Sequence, residues 1–328
     1  MTNKILAFLF FAIIIGAMTA CSGSGDDAGV TTVRLSEVTR SVFYAPQYAA
    51  IELGFFADEG IDIELITSDG ADRVMTALLS GSADIGLSGP EAAIYVYAGG
   101  RVDHPIVFAQ VTQRDGSFVI GREPGFTWAD LEGAHILPGR RGGMPFMVFE
   151  YVMAQKGIQA YFDNTIQFAA MVGAFLGGTA DYVTAFEPVA STIELEGRGY
   201  VGLSVGEAFG EIPYTAYYAL GSFAAENPEI IQGFTNALHR GQLWVMENEP
   251  MAIAEVIAPF FPEADMAVLA SAIGRYKEIE AYAPTPHITR NGFANLQRVM
   301  AAAGELPMEV EFDALIDNRF ADIAVSGR

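Results

Sequence analysis

Ala77-Leu-Leu-Ser-Gly-Ser-Ala-Asp84 recurs in the same chain as Ala174-Phe-Leu-Gly-Gly-Thr-Ala-Asp181, at an offset of 97 residues. The same offset pairs Gly60-Ile61 with Gly157-Ile158 and Ala93 with Ala190, so eight of the 34 residues from Gly60 to Ala93 are repeated identically. Composition alone would give roughly two or three. Each copy reads as the end of a helix, a glycine stop and the start of a strand. Around the first copy, Val33–Ser36 is a short strand and Ala45–Leu53 a helix stopped by Gly54. Ile61–Leu65 alternates with period two, as a half-buried strand does, and Asp69–Ser80 returns to helical spacing before the strand Ala83–Leu87. Around the second copy, a strand Ala134–Leu137 precedes a helix Phe146–Lys156. The β-α-β-α-β order predicts parallel sheets with right-handed crossovers. A duplicated unit predicts two α/β lobes with a cleft between them, lined by the loops at the strand C-terminal ends.

Val107–Val119 is extended and is expected to cross from the first lobe to the second; Tyr214–Leu220 is expected to carry the chain back. The helical segments Pro228–Glu247, Met251–Phe260, Ala264–Tyr276, Asn291–Ala303 and Phe312–Ala321 then complete the first lobe. The expected division is residues 31–113 with 219–328 as lobe I, and 114–218 as lobe II.

Composition removes several functional classes. The 328 residues are 51% hydrophobic and 12% aromatic, enough for a large core and against disorder. With 18 Lys+Arg against 40 Asp+Glu, the net charge of −22 repels nucleic acid and anionic membrane surfaces. A single cysteine, Cys21, leaves no internal disulfide and no multi-thiolate metal site. The four histidines, at 104, 135, 239 and 287, show no ligand spacing, so neither a metal nor any other cofactor is expected.

Residues 1–20 carry one charge, Lys4, ahead of an apolar run from Ile5 to Ala17, too short for a spanning helix and right for a secretory signal. The small residues Thr19-Ala20 lead into Cys21, and this resembles the lipobox of bacterial lipoproteins, with Met18 where leucine is more common. That resemblance implies cleavage before Cys21, lipidation of its thiol and an anchor in a bacterial membrane. The polar stretch after it makes residues 21–30 a flexible tether.

Tyr48-Ala-Ala-Ile-Glu-Leu-Gly-Phe-Phe-Ala-Asp-Glu-Gly-Ile-Asp-Ile-Glu-Leu65 resembles the opening signature of ABC-transporter solute-binding proteins for aliphatic sulfonates, taurine, nitrate and thiamine-pyrimidine precursors. Leu78–Leu87, Ala180–Pro188 and Asn227-Pro-Glu229 match as well, and the resemblance spans residues 31–328. It implies a type II periplasmic-binding-protein fold of two α/β lobes joined by two crossing strands. It also implies lobe closure over a small-molecule solute, delivery to permease subunits in the membrane, and action as a monomer outside the cytoplasm.

Candidate ligand contacts follow from the loops. Phe43-Tyr44 sits between the first strand and the Ala45 helix and offers a ring to stack and a hydroxyl to hydrogen-bond. Ser88-Gly89-Pro90-Glu91 opens a helix after the third strand; its free N–H groups and Ser88 suit a ligand acceptor, and Glu91 suits an amino group. The repeat places Phe186-Glu187-Pro188 in the matching loop of the second lobe, so a glutamate from each lobe is expected to face the cleft. Arg140-Arg141-Gly142-Gly143, by contrast, suits an anion, with glycine N–H groups and a guanidinium fork but no P-loop ending. Asp115 and Ser117 on the outward crossing, and Tyr214, Thr215 and Tyr217 on the return, border the cleft. Trp128, Trp244, His135 and His239 read as packing or surface residues.

No nucleophile–base pair, metal spacing or cofactor frame is present in this pattern, so a binder rather than an enzyme is expected. Enzymes built on a similar fold, one of which makes the thiamine pyrimidine with a cysteine-rich motif, remain an alternative reading, although no such motif occurs here. Two carboxylates and several rings favour a planar amino-heteroaromatic solute of the thiamine-pyrimidine-precursor kind. An alkyl sulfonate at Arg140-Arg141, or a lipoprotein presenting its ligand to a membrane sensor, are the other two readings.

Overall fold

The computed structural model describes residues 29–327; the expected signal segment, the lipidation expected at Cys21 and most of the expected tether lie outside them. Ten strands form two five-stranded sheets. The first contains β1 (Thr31–Glu37), β2 (Ile61–Thr67), β3 (Ile85–Ser88), β4 (Pro105–Thr112) and β10 (Thr215–Leu220), in the order β2-β1-β3-β10-β4. The second contains β5 (Phe118–Gly121), β6 (His135–Leu137), β7 (Tyr161–Phe162), β8 (Tyr182–Ala185) and β9 (Tyr200–Ser204), in the order β7-β6-β8-β5-β9.

From helix through glycine to strand, the sequence repeat is a structural repeat to the residue, although the strand before it is longer in the first copy, Ile61–Thr67 against Tyr161–Phe162. The helices Ala71–Leu79 and Phe168–Leu176, and the strands β3 and β8, have identical bounds at the 97-residue offset. Gly81 and Gly178, which separate helix from strand in each copy, both take left-handed backbone (φ +75° and +91°), where a side chain is strained. Within each sheet the repeated strands pair in parallel, β1 with β2 and β3, and β6 with β7 and β8.

The sheets are not parallel throughout. β10 runs antiparallel to β3 and β4, and β5 runs antiparallel to β8 and β9. In each sheet the strand arriving from the other lobe enters from the cleft end, opposite to its neighbours. Because β10 belongs wholly to the first sheet, the chain has already returned by Thr215, and the expected return crossing over Tyr214–Leu220 shifts to residues 210–214. The expected boundary at 218/219 therefore falls inside a strand. The two crossings run side by side, with Ile212 N donating to Gln113 O at 2.9 Å and Tyr214 N to Thr112 O at 3.2 Å.

The C-terminal helices also depart from the expected arrangement. Pro228–Glu247 packs on β4 and on the helix Ala45–Glu52, burying Ile231, Phe234, Leu238 and Val245. Met266–Glu278, capped by Asp265, instead reaches across to the helix Val189–Leu195 of the second lobe, and Arg290–Ala302 packs on Met144–Gln155. The tail thus clasps both lobes rather than only completing the first. The single helix expected at Phe312–Ala321 is two, Phe312–Leu315 and Arg319–Ser326. Between them Ile316 bridges to Val107, and Asp317 N donates to Val107 O at 2.9 Å, covering the outer edge of β4. Among the described residues no helix is long and apolar enough to cross a membrane.

Candidate functional site

Where the lobes meet, the loop after β1, the loop after β3 and the two crossings converge. Ser41 caps the turn Val42–Tyr44 by accepting from Phe43 N at 3.2 Å, which directs both Phe43 and Tyr44 inward, where each is buried. The Phe43 ring lies 4.8 Å from Tyr276, 5.8 Å from Tyr44 and Tyr214, and 6.0 Å from Phe186 across the lobe boundary. The hinge leaves room for this ring because residue 116 is glycine: a Cβ there would stand 2.7 Å from it. An aromatic wall drawn from both lobes and the return crossing results.

Polar groups left over from the fold gather against that wall. Glu91, in the first turn of the helix Glu91–Ala98, is 5% exposed, and its Oε2 has no partner. Asp115 is fully buried on the outward crossing, with Oδ1 accepting from Ser117 N at 2.7 Å and Ser117 Oγ at 2.6 Å. Its Oδ2 and the Tyr214 hydroxyl are close enough to shift each other's proton affinity, yet no hydrogen bond closes between them and both atoms are unpartnered. Thr112 Oγ1, at the end of β4, is unpartnered too. Each such atom costs the fold about 1–3 kcal/mol. A ligand that satisfies them recovers that cost on binding.

Burial sets the protonation of the cluster. It pushes the Glu91 carboxyl up to about 8. It pushes Asp115 up to about 7, against the opposing hydrogen bonds from Ser117. The hydroxyls of Tyr44 and Tyr214 are likewise pushed up by burial, and Tyr95 beside Glu91 is pushed up to about 12.

The remaining expected contacts are in part committed to the fold's own bonds. Glu187 is buried, but its carboxylate is already bound by Arg275 Nη1, Ser191 N and Ser191 Oγ, the last two at 2.9 Å. The second buried acid with an unpartnered oxygen is therefore Asp115, not Glu187. The Glu187 backbone instead ties the lobes, its N–H donating to the Tyr276 hydroxyl at 2.9 Å and its C=O accepting from Ser41 Oγ at 3.4 Å. Ser88 Oγ is paired with the Tyr218 hydroxyl at 2.6 Å, and a Cβ on Gly89 would overlap the Glu91 carboxyl at 2.0 Å. Arg140 and Arg141 are exposed, whereas Gly142 reaches the lobe boundary, its C=O accepting from Tyr95 Oη at 3.4 Å. Gly143 caps the helix Met144–Gln155.

Tyr217 is buried on the far side of the first sheet. Its ring packs 5.0 Å from Phe234 and its hydroxyl donates to Gln47 Oε1 at 2.9 Å. Gln47 in turn donates to Glu37, a buried carboxylate that also accepts from Arg40, Tyr48 and Thr67. Tyr217→Phe is expected to lower stability by about 1–3 kcal/mol, because the Gln47 acceptor loses its donor, and to leave solute affinity unchanged. Denaturant melts and a binding titration on the same variant check both halves. Residues that sequence reasoning did not single out are Thr112, Arg275, Tyr276 and Tyr95; only Thr112, inside the expected crossing Val107–Val119, carried a signal.

Comparisons with known proteins agree with this fold. The family profile described as NMT1/THI5 like matches residues 42–252. The Bacillus subtilis (strain 168) protein YtlA, provisionally named a binding protein, is 39% identical over 325 residues, covering 97% of this chain and 95% of that protein. The ligand-binding component of an ABC-type import system from Staphylococcus aureus, solved with zinc bound, superposes with a TM-score of 0.73 at 13% identity, covering 90% of this chain and 99% of that one. The alkanesulfonate-binding protein SsuA from Xanthomonas axonopodis pv. citri, bound to MOPS, gives 0.70 at 16% identity, covering 88% and 99%. The chain has the type II periplasmic-binding-protein fold and belongs to the NMT1/THI5-like family.

Proposed function

We propose that this protein is the extracytoplasmic solute-binding component of an ABC importer. It is anchored to a bacterial membrane through lipid on Cys21, and it captures a small planar amino-heteroaromatic solute between its lobes for membrane permease subunits. The observation that carries the reading is the cluster of unpartnered buried acceptors, Glu91 Oε2 and Asp115 Oδ2, set against the rings of Phe43, Tyr44, Phe186 and Tyr214. An amino-heteroaromatic presents flat faces to those rings and N–H groups to those oxygens. Hinge motion at residues 113–117 and 210–214 would open and close the cleft around it.

An alkyl sulfonate is the second reading, favoured by the fold shared with SsuA and by the Arg140-Arg141 loop at the lobe boundary. A thermal-shift panel on residues 21–328 separates the two. A solute at 100 times its Kd adds about 2.7 kcal/mol of stability. Stabilisation by aminopyrimidines and not by alkyl sulfonates is the expected result, and the reverse pattern overturns it.

A further inference from the structure

Resting on the solute-binding reading, we infer that the solute is a planar cation, an amidinium or protonated amino-heterocycle whose N–H groups bridge Glu91 Oε2 and Asp115 Oδ2. Both oxygens are buried and unpartnered. Among the described residues no lysine or arginine is buried, so the protein supplies no counter-charge of its own here. The nearest basic groups are committed or outside: Arg275 is paired with Glu187 and Glu194, and Arg140 and Arg141 are exposed. The titratable groups on which the two acids act are Tyr44, Tyr95, Tyr214 and Tyr218, with Glu305 beyond Tyr95, and none carries positive charge. Two buried carboxyls without a cation, set among aromatic rings, form an environment in which a desolvated organic cation is held by charge and by ring quadrupoles together. An anion in the same place meets two acids and no cation. The net charge of −22 adds a long-range pull on cations that salt screens.

Protonation gives the inference its sign. Glu91 holds its proton up to about 8 against an ordinary 4.5, and Asp115 up to about 7 against 3.8. The folded chain thus binds protons that the unfolded chain has released, and ligand-free stability falls as pH rises across those windows. A cation replaces the proton. Its affinity therefore rises with pH until about pH 8, with proton release on binding. An anion or a neutral acceptor, taking a hydrogen bond from the protonated acids, shows the opposite slope.

Benzamidine, benzamide and benzenesulfonate, planar probes of one shape class and three charges, test this by calorimetry at about pH 6 and about pH 8, on either side of the Asp115 transition and up to that of Glu91. Benzamidine is expected to bind at least about tenfold more tightly than benzamide at the higher pH, to weaken at the lower pH, and to release protons. Glu91→Gln keeps the shape of the protonated acid, so its ligand-free melting temperature should match the parent while the preference for benzamidine disappears; Asp115→Asn serves as the second variant. Equal or tighter binding of benzamide or benzenesulfonate, or a benzamidine affinity indifferent to Glu91→Gln and Asp115→Asn, overturns the cation. If none of the three probes binds the folded protein, the planar-solute reading itself falls with it.

Discussion

Replacing Arg275 by alanine is expected to destabilise the protein by about 3–5 kcal/mol, the cost of leaving a buried carboxylate without its partner. The Glu187 side chain is fully buried, and Arg275, itself 21% exposed, is the cation that reaches it. The same guanidinium holds Glu194 at 2.7 Å and Ser191 Oγ at 3.2 Å, so one side chain on the helix Met266–Glu278 fastens three residues of the second lobe. Ser191 would still donate two hydrogen bonds to Glu187, which places the loss toward the lower end of the range. Adding Glu187→Gln to Arg275→Ala removes the orphaned charge and should restore a substantial part of the loss, as a double-mutant cycle in denaturant melts would measure. A loss below about 1 kcal/mol for Arg275→Ala alone would mean the pair behaves as a solvent-screened one, and that it does not clasp the lobes.

That clasp marks the limit of what the sequence carried. The repeat was legible because helix, glycine and strand recur at one spacing, and the backbone keeps that spacing in both lobes. Glu187 misled because the offset that aligns the strands pairs Glu91 with Pro188, so the second acid stands one residue early in its loop. Its partner Arg275 is 88 residues away on a helix that periodicity assigned to lobe I packing. No local pattern announces such a pairing. Asp115 was singled out for a simpler reason, being an acid on a chain segment expected to cross the cleft, and the structure buries it there. Tyr217 was placed on the wrong face. Neighbours on a strand alternate sides, so Tyr218 reaches Ser88 and Tyr217 reaches Gln47. In a strand buried on both faces, Thr-Ala-Tyr-Tyr-Ala-Leu carries no polar alternation to say which side is which.

Gly206→Ala is expected to damage binding more than its single methyl suggests. Gly206 lies in the short helix Val205–Phe209, and a Cβ there would stand 2.2 Å from Asp115 O and 3.1 Å from Asp115 N. Those are backbone atoms of the outward crossing and cannot swing aside as a side chain does. The crossing must shift, and overpacking of this kind costs about 1–3 kcal/mol. The shift would also be transmitted to ligand, because Val205 N donates to Ser117 O at 3.1 Å and Ser117 fixes the Asp115 carboxylate. Displacement by about 1 Å is enough to spoil a preorganised contact, so solute affinity should fall about tenfold or more alongside stability. Gly241→Ala is the control. Its Cβ would meet Pro46 O at the same 2.2 Å, but in the packing of Pro228–Glu247 on Ala45–Glu52, behind the first sheet. It should lower stability comparably, less the ~1 kcal/mol that alanine gains over glycine within a helix, with affinity retained in the folded fraction. If both variants lose stability and affinity in equal proportion, then Asp115 does not hold the solute and the crossing only joins the lobes. A loss of affinity confined to Gly206→Ala places the solute's polar contact on the hinge itself, where closing the lobes and gripping the ligand become one event.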